Sequence, residues 1–181
     1  MAESIVIVPY EEEWPREFVR VGGVLRQALG GLAVRIDHIG STSVIGLDAK
    51  PVIDIQVSVK RLEPVSEYRT PLENAGFAHR AANPDRTKRY FRESPGDRRM
   101  HIHVRESGSW SEQFALLFRD YLRENPGDCA IYAAEKYRLA GLYKDKREKY
   151  VEEKGPVIWT IMRRASDWSQ LTGWRPGASD C

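Results

Sequence analysis

Apolar positions recur along the first part of the chain at two different periods. Between Glu13 and Leu29, Trp14, Phe18, Val21, Leu25 and Leu29 fall three or four residues apart, the spacing of one buried helix face, and Gly30-Gly31 marks its stop. Val34–Ile39 and Val52–Val59 are instead short and rich in β-branched residues, the second following Pro51, and both read as strands. Ser4–Val8 reads as a short strand halted by Pro9, and Ser66–Ala75 as a helix closed by Gly76. Lys88–Arg92 and Met100–Arg105 read as strands flanking a turn at Ser94-Pro95-Gly96-Asp97.

Past Gly108 the texture turns helical. Phe114, Leu117, Phe118, Tyr121 and Leu122 follow the pattern of one buried helix face. Asn125-Pro126-Gly127-Asp128 supplies a cap, a first-turn proline and an early acid, so a new helix starts there. Gly155-Pro156 predicts a break, after which Ile158, Ile161, Met162, Ala165 and Trp168 form a further stripe. Strands first and helices last predict an α+β fold, a mixed β-sheet with flanking helices and a C-terminal helical region. The expected layout is one domain: an α/β core over 1–108, helices packed on it over 109–171, and a disordered tail over 172–181.

The chain has 181 residues, 41% hydrophobic and 30% charged, with mean hydropathy −0.52, a globular profile. Its formal net charge of +2 argues against general nucleic-acid binding. No apolar run has the length of a membrane span, and the first residues are acidic where a signal peptide is basic, so the expected location is the cytoplasm. Two cysteines, Cys129 and Cys181, exclude a disulfide framework and a Cys-rich zinc site. The charge is unevenly spread. Residues 1–37 carry four basic and six acidic side chains, whereas 79–105 carry eight basic ones (Arg80, Arg86, Lys88, Arg89, Arg92, Arg98, Arg99, Arg105) against three acids. Guanidinium groups at that density suit phosphate or carboxylate ligands, although a solvated loop has the same composition.

Ile36–Val59, IDHIGSTSVIGLDAKPVIDIQVSV, carries the most chemistry. A glycine directly after a strand lets the backbone approach a ligand, and Ser41, Thr42 and Ser43 offer hydroxyl and N–H groups at what reads as a short helix N-terminus. Asp54 lies in a strand otherwise built for burial, where a carboxylate needs a metal, a cation or several donors. Gly40, Ser41, Thr42, Ser43 and Lys50 are therefore the candidate phosphate-binding residues, and Asp54 the candidate for a divalent cation. The plainer alternative is a capping serine and an ordinary strand-end acid. The arrangement fits neither a P-loop, since Lys50 is far from Gly40, nor a serine-hydrolase elbow.

His101 and His103 are two apart in a predicted strand and so share one face. Beside Asp54 they are candidate catalytic residues and metal ligands, or a sheet-face pair that contacts substrate or arginine. His38, three residues before Ser41, faces the same cavity or satisfies a backbone carbonyl. Arg119, Asp120 and Arg123 either reach the pocket from their helix or form a surface pair.

The runs DHIGSTSVIGLDAKPVIDIQVSV, HIHV and LLFRDYLRENP resemble the GrpB family, and the chain is similar to the domain fused behind dephospho-CoA kinase in some actinobacteria. The resemblance runs from about Ile7 to about Trp168. It implies the fold of DNA polymerase β-like nucleotidyltransferases, whose signature is a hydrophobic residue, Gly and Gly or Ser, followed by two acids flanking a hydrophobic residue. Ile39-Gly40-Ser41 and Asp54-Ile55 match it, but Gln56 stands where the second acid belongs, and His101 and His103 stand near the place of a third. The resemblance thus implies a nucleotide-triphosphate pocket more firmly than it implies catalysis.

Three functions follow as expectations. The first is a divalent-metal-dependent nucleotidyltransferase acting on a nucleotide triphosphate and a small-molecule acceptor. Its ion would be Mg²⁺ or Mn²⁺, with Zn²⁺ as the softer option, and Lys50, Arg89 and Arg99 would offset phosphate charge. The second is a non-catalytic nucleotide- or anion-binding module that regulates a partner. The third is another metal-dependent transferase or hydrolase that uses the His-x-His pair.

Overall fold

The computed structural model describes residues 4–181. Helix α1 (Glu13–Leu29) leads into β1 (Ala33–Ile39), and β2 is Ile53–Val59. After α2 (Ser66–Asn74) come β3 (Phe77–His79), β4 (Lys88–Glu93) and β5 (Met100–Glu106). The chain then runs through α3 (Trp110–Glu124), α4 (Pro126–Leu142) and α5 (Arg147–Thr172). The sheet order is β1-β2-β5-β4-β3, and only the β2–β5 pair is parallel. This is an α+β fold with a mixed sheet.

Strand alternation divides the sheet into two unlike faces. Ile53, Ile55, Val57, Val59, Phe91, Ile102 and Val104 face α1 and α2 and join Trp14, Phe18, Leu25, Tyr68 and Leu72 in the main core. The other face carries Asp54, Gln56 and Ser58 of β2 beside His101, His103 and Arg105 of β5. Burial of one apolar face sets the register, and that register decides which polar groups meet on the other. The helical region packs on the loop after β1: Val44 and Leu47 share a cluster with Tyr121, Tyr132, Ile161 and Ala165.

Three local expectations are corrected. Ser4–Val8 is not a strand of the sheet, since its pairing is a single bridge between Val8 and Ala49. Gly155-Pro156 does not end a helix, because α5 runs unbroken across it. Pro156 is exposed, so water serves the carbonyl that its missing N–H leaves free, while Tyr150, Ile161 and Ala165 on either side are held in apolar clusters. Residues 172–181 are not a loose tail: Cys181 N–H donates to the Ile36 carbonyl at 3.1 Å and Asp180 accepts from the His38 N–H at 3.0 Å. That strap satisfies the outer edge of β1, an edge that would otherwise expose free backbone groups.

Pro126 opens α4 as its sequence predicts, but Asn125 spends its side-chain amide on the Tyr121 carbonyl rather than on a cap. No helix among the described residues is long and apolar enough to cross a membrane.

Candidate functional site

Asp54 sits near the start of β2 with Ile39, the last residue of β1, as its antiparallel partner and His101 as its parallel one. Gly40 follows at φ 70°, and a Cβ there would lie 2.7 Å from Asp54 Oδ2. Glycine is required twice over, by conformation and by contact, because the backbone passes directly against the carboxylate. From the other side, His101 Nδ1 lies 3.0 Å and His103 Nε2 3.1 Å from the same oxygen, Asp54 Oδ1. His103 is opposite Gln56 in register but leans back one step to reach Asp54.

The electrostatics of this trio follow from burial and pairing. Burial opposes the Asp54 charge, but the hydrogen bonds and charges of His101 and His103 overcome it and hold the carboxyl well below its usual range. Burial pushes His103 down to about 4, so a neutral imidazole is present at neutral pH. One carboxylate oxygen and two imidazole nitrogens lie within 4.8 Å of one another, a group able to hold a metal ion. The outward nitrogens, His101 Nε2 and His103 Nδ1, are buried without a hydrogen-bond partner among the described residues. Both rings therefore spend their hydrogen bonding on a single oxygen.

Around the trio stands a ring of cations and phenols. The Asp54 charge acts on Lys50, Lys88, Arg105, Lys154 and Tyr132. Lys50 and Lys154 both lie over the Tyr150 ring, 5.2 and 5.4 Å from its centroid. Burial, reinforced by Lys154 and Arg147, pushes Lys50 down to about 8. Lys88 lies 5.3 Å from the Tyr90 ring centroid and 3.6 Å from Asp85. Tyr132 of α4 lies near Ser41, and burial pushes its phenol up. Arg105 Nη1 donates to Gln56 Oε1 at 2.5 Å, so the neutral residue in place of the second acid is bound to a cation.

Of the other expected phosphate ligands, some converge here and some do not. Gly40, Ser41 and Lys50 border the Asp54 cluster. Thr42 is committed elsewhere, its hydroxyl donating to the Val52 carbonyl at 3.2 Å and lying 3.0 Å from His38 Nε2. Ser43 Oγ donates to the Gly40 carbonyl at 2.6 Å and closes the turn rather than facing outward. The segment Ser41–Ser43 is one 3-10 turn, too short for the expected helix N-terminus. Arg99 lines a cavity of about 410 Å³ with Lys50 and Arg147. Arg89 is corrected: it shares strand parity with the core residue Phe91, lies on the sheet face opposite Asp54, and pairs with Glu63 at 2.6 Å.

His38 also turns away, its ring stacked on Phe18 at 4.9 Å on the core side. Arg123 donates to the Ser43 carbonyl at 3.1 and 3.0 Å, which pins the turn after Gly40, and Arg119 binds the His38 carbonyl, Asp120 and Asp180. Sequence reasoning placed Lys88 and Arg105 only within the basic cluster of 79–105, without a site, and missed Tyr132 and Lys154. Period-two parity would have found Lys88, since Phe91 marks the core face of β4. Nothing local marks Tyr132 or Lys154.

The arrangement of the sheet and its helices is one also seen in solved polymerase structures. A 3'-dATP- and Mg-bound structure of the Cid1 poly(U) polymerase superposes with a TM-score of 0.53 at 13% identity, covering 74% of this chain and 44% of that one, a likeness of fold alone. A family profile described as GrpB protein matches residues 4–164, and the chain belongs to the GrpB family. The crystal structure of GrpB from Enterococcus faecalis matches with a TM-score of 0.80 at 33% identity, covering 88% of this chain and 96% of that one. A UPF0157 protein of Halalkalibacterium halodurans is 35% identical over 90% of this chain and 83% of its own length. The dephospho-CoA kinase of Mycobacterium tuberculosis is 34% identical over 94% of this chain. The chain spans about half the length of that kinase, 48%, and of the Bacillus subtilis protein YqkA, 49%.

Proposed function

We propose that this chain is a divalent-metal-dependent nucleotidyltransferase that moves a nucleotidyl group from a nucleotide triphosphate to a small-molecule acceptor. The observation that carries the reading is the meeting of the Gly40-Ser41 turn, the Asp54 carboxylate and two imidazoles on the polar face of the sheet. Residues 1–108 supply the catalytic core, and the helices of 109–171 close its pocket with Tyr132 and Lys154. The cytoplasm supplies the nucleotides.

In this reading Asp54, His101 and His103 hold the cation, and the Ser41 hydroxyl with Lys50 and Lys154 grips the phosphate chain. A bound dication polarises the phosphoryl oxygens and offsets their charge. An acceptor oxygen attacks the α-phosphorus as the bond to pyrophosphate breaks, and the acceptor proton passes to solvent. Lys88 and Arg105 add fixed positive charge where the transition state gathers negative charge. A small acceptor fits because the chain carries a net charge of only +2.

Gln56 favours a second reading, a nucleotide-binding module without turnover that regulates a partner. Pyrophosphate release from a panel of nucleotide triphosphates, with and without Mg²⁺, Mn²⁺ and Zn²⁺, separates the two. Turnover that needs a dication and is abolished by Asp54→Asn supports the transferase. Nucleotide affinity in calorimetry with no turnover and no metal requirement supports the binding module.

A further inference from the structure

We propose that Asp54, His101 and His103 form a mononuclear site for a zinc-type transition dication, and that the Arg105 guanidinium, locked to Gln56, stands in for a second ion. The inference rests on the metal-dependent reading above and specifies its ion and its stoichiometry.

The donor set argues for the ion. Magnesium prefers oxygen ligands and retains water, whereas imidazole nitrogen suits zinc and its first-row neighbours. A zinc ion bonds nitrogen and oxygen at about 2.0–2.2 Å, which separates tetrahedral donors by roughly 3.3–3.6 Å. The two nitrogens already lie 3.0 and 3.1 Å from Asp54 Oδ1, so an ion enters with small outward shifts. Each ring then carries its proton on the opposite nitrogen, which among the described residues has no acceptor, so the metal bonds must outweigh that unpaired N–H.

The neighbouring residues argue for a single ion. Two-metal centres hold their ions about 3.5–4 Å apart and share bridging carboxylates. Gln56, next along the same face of β2, offers a neutral amide whose oxygen accepts from Arg105 at 2.5 Å and whose nitrogen donates to the Glu112 carbonyl at 3.4 Å. Both amide ends are thus engaged. Among the described residues Arg105 has no ion pair, and Asp85, Asp54 and Glu112 act on it only at longer range. A second dication would meet a fixed positive charge and find no acid to bridge it. Arg105 supplies that charge permanently, without a binding equilibrium.

The test is metal content. Protein stripped with a chelator and dialysed is titrated with ZnCl₂, MnCl₂ or MgCl₂ by calorimetry, and the retained metal is counted by elemental analysis. The expected result is one zinc per chain, bound about 100-fold more tightly than magnesium. His103→Asp should keep one ion and shift preference toward magnesium, and His103→Ala should lose zinc affinity. The double variant Gln56→Asp, Arg105→Gln should raise the manganese count from one to two. Circular dichroism verifies each fold, and the wild-type count alone decides the matter if a variant fails to fold. Two ions per wild-type chain, magnesium as tight as zinc, or no ion at all overturns the proposal. The nucleotide assay is independent: one zinc without turnover removes the transferase and leaves this site, and turnover with two magnesium ions does the reverse.

Discussion

Replacing Gly40 by alanine isolates the contact on which the site is built. The residue has φ 70° and ψ −174°, a region essentially reserved for glycine, so any side chain strains the backbone by about 1–3 kcal/mol. The new Cβ would also lie 2.7 Å from Asp54 Oδ2 and 3.1 Å from Asp54 Cβ. The carboxylate must then turn and weaken its hydrogen bonds to His101 and His103, charge-assisted bonds of about 1.5 kcal/mol or more each. Partial loss of that pair brings the total to about 3–4 kcal/mol. Gly46→Ala is the control: φ is 79°, but nothing lies within 4 Å of the added Cβ, so strain of about 1–2 kcal/mol acts alone. Urea unfolding at neutral pH, read as midpoint times slope, measures both. Equal losses for the two variants would refute the claim that the Gly40 turn and the Asp54 carboxylate are in mutual contact.

Two further outcomes follow from buried charge. Burial pushes His38 down to about 3, Asp54 opposing the shift and Arg123 and Arg119 adding to it. Above the ordinary value of 6.5 neither folded nor unfolded chain binds this proton. As pH falls below it the unfolded chain alone is protonated, so stability drops by about 1.4 kcal/mol per pH unit from this group. His38→Gln should remove about one proton from the pH slope of unfolding free energy between pH 6 and 4, and an unchanged slope would contradict the assignment. Asp180→Ala withdraws a carboxylate 2.8 Å from the buried Arg119 and frees the His38 N–H. Since Asp120 and the His38 carbonyl still hold Arg119, the expected loss is about 2 kcal/mol in urea, and a loss under about 0.5 would show that the terminal strap is not anchored there.

The chain's periodicities determined much by themselves. The seventeen-residue stripe of α1, the β-branched runs of β1 and β2 and the alternation of β5 mark their elements because side-chain spacing has to match backbone geometry. An acid in the apolar strand of β2 and a His-x-His pair in β5 likewise mark themselves as chemistry, since burial would otherwise penalise them. The parallel pairing of β2 with β5 is a different matter. It joins residues 47 and 49 positions apart in the chain, and only the shared apolar core of α1, α2 and the sheet sets its register.

That register made Asp54 a partner of both histidines and bound Gln56 to Arg105, while the antiparallel pairings of β4 with β5 and β1 with β2 turned Arg89 and His38 to the far face. The helical contributions, Tyr132 against Ser41 and Lys154 beside Tyr150, arise from packing between distant segments and leave no local trace. The same holds for the unbroken α5 and for the terminal strap. A proline or a polar tail looks disruptive in isolation, yet water at an exposed carbonyl and free backbone groups along β1 accommodate them. Local spacing told which residues carry chemistry, while long-range burial decided which of them meet.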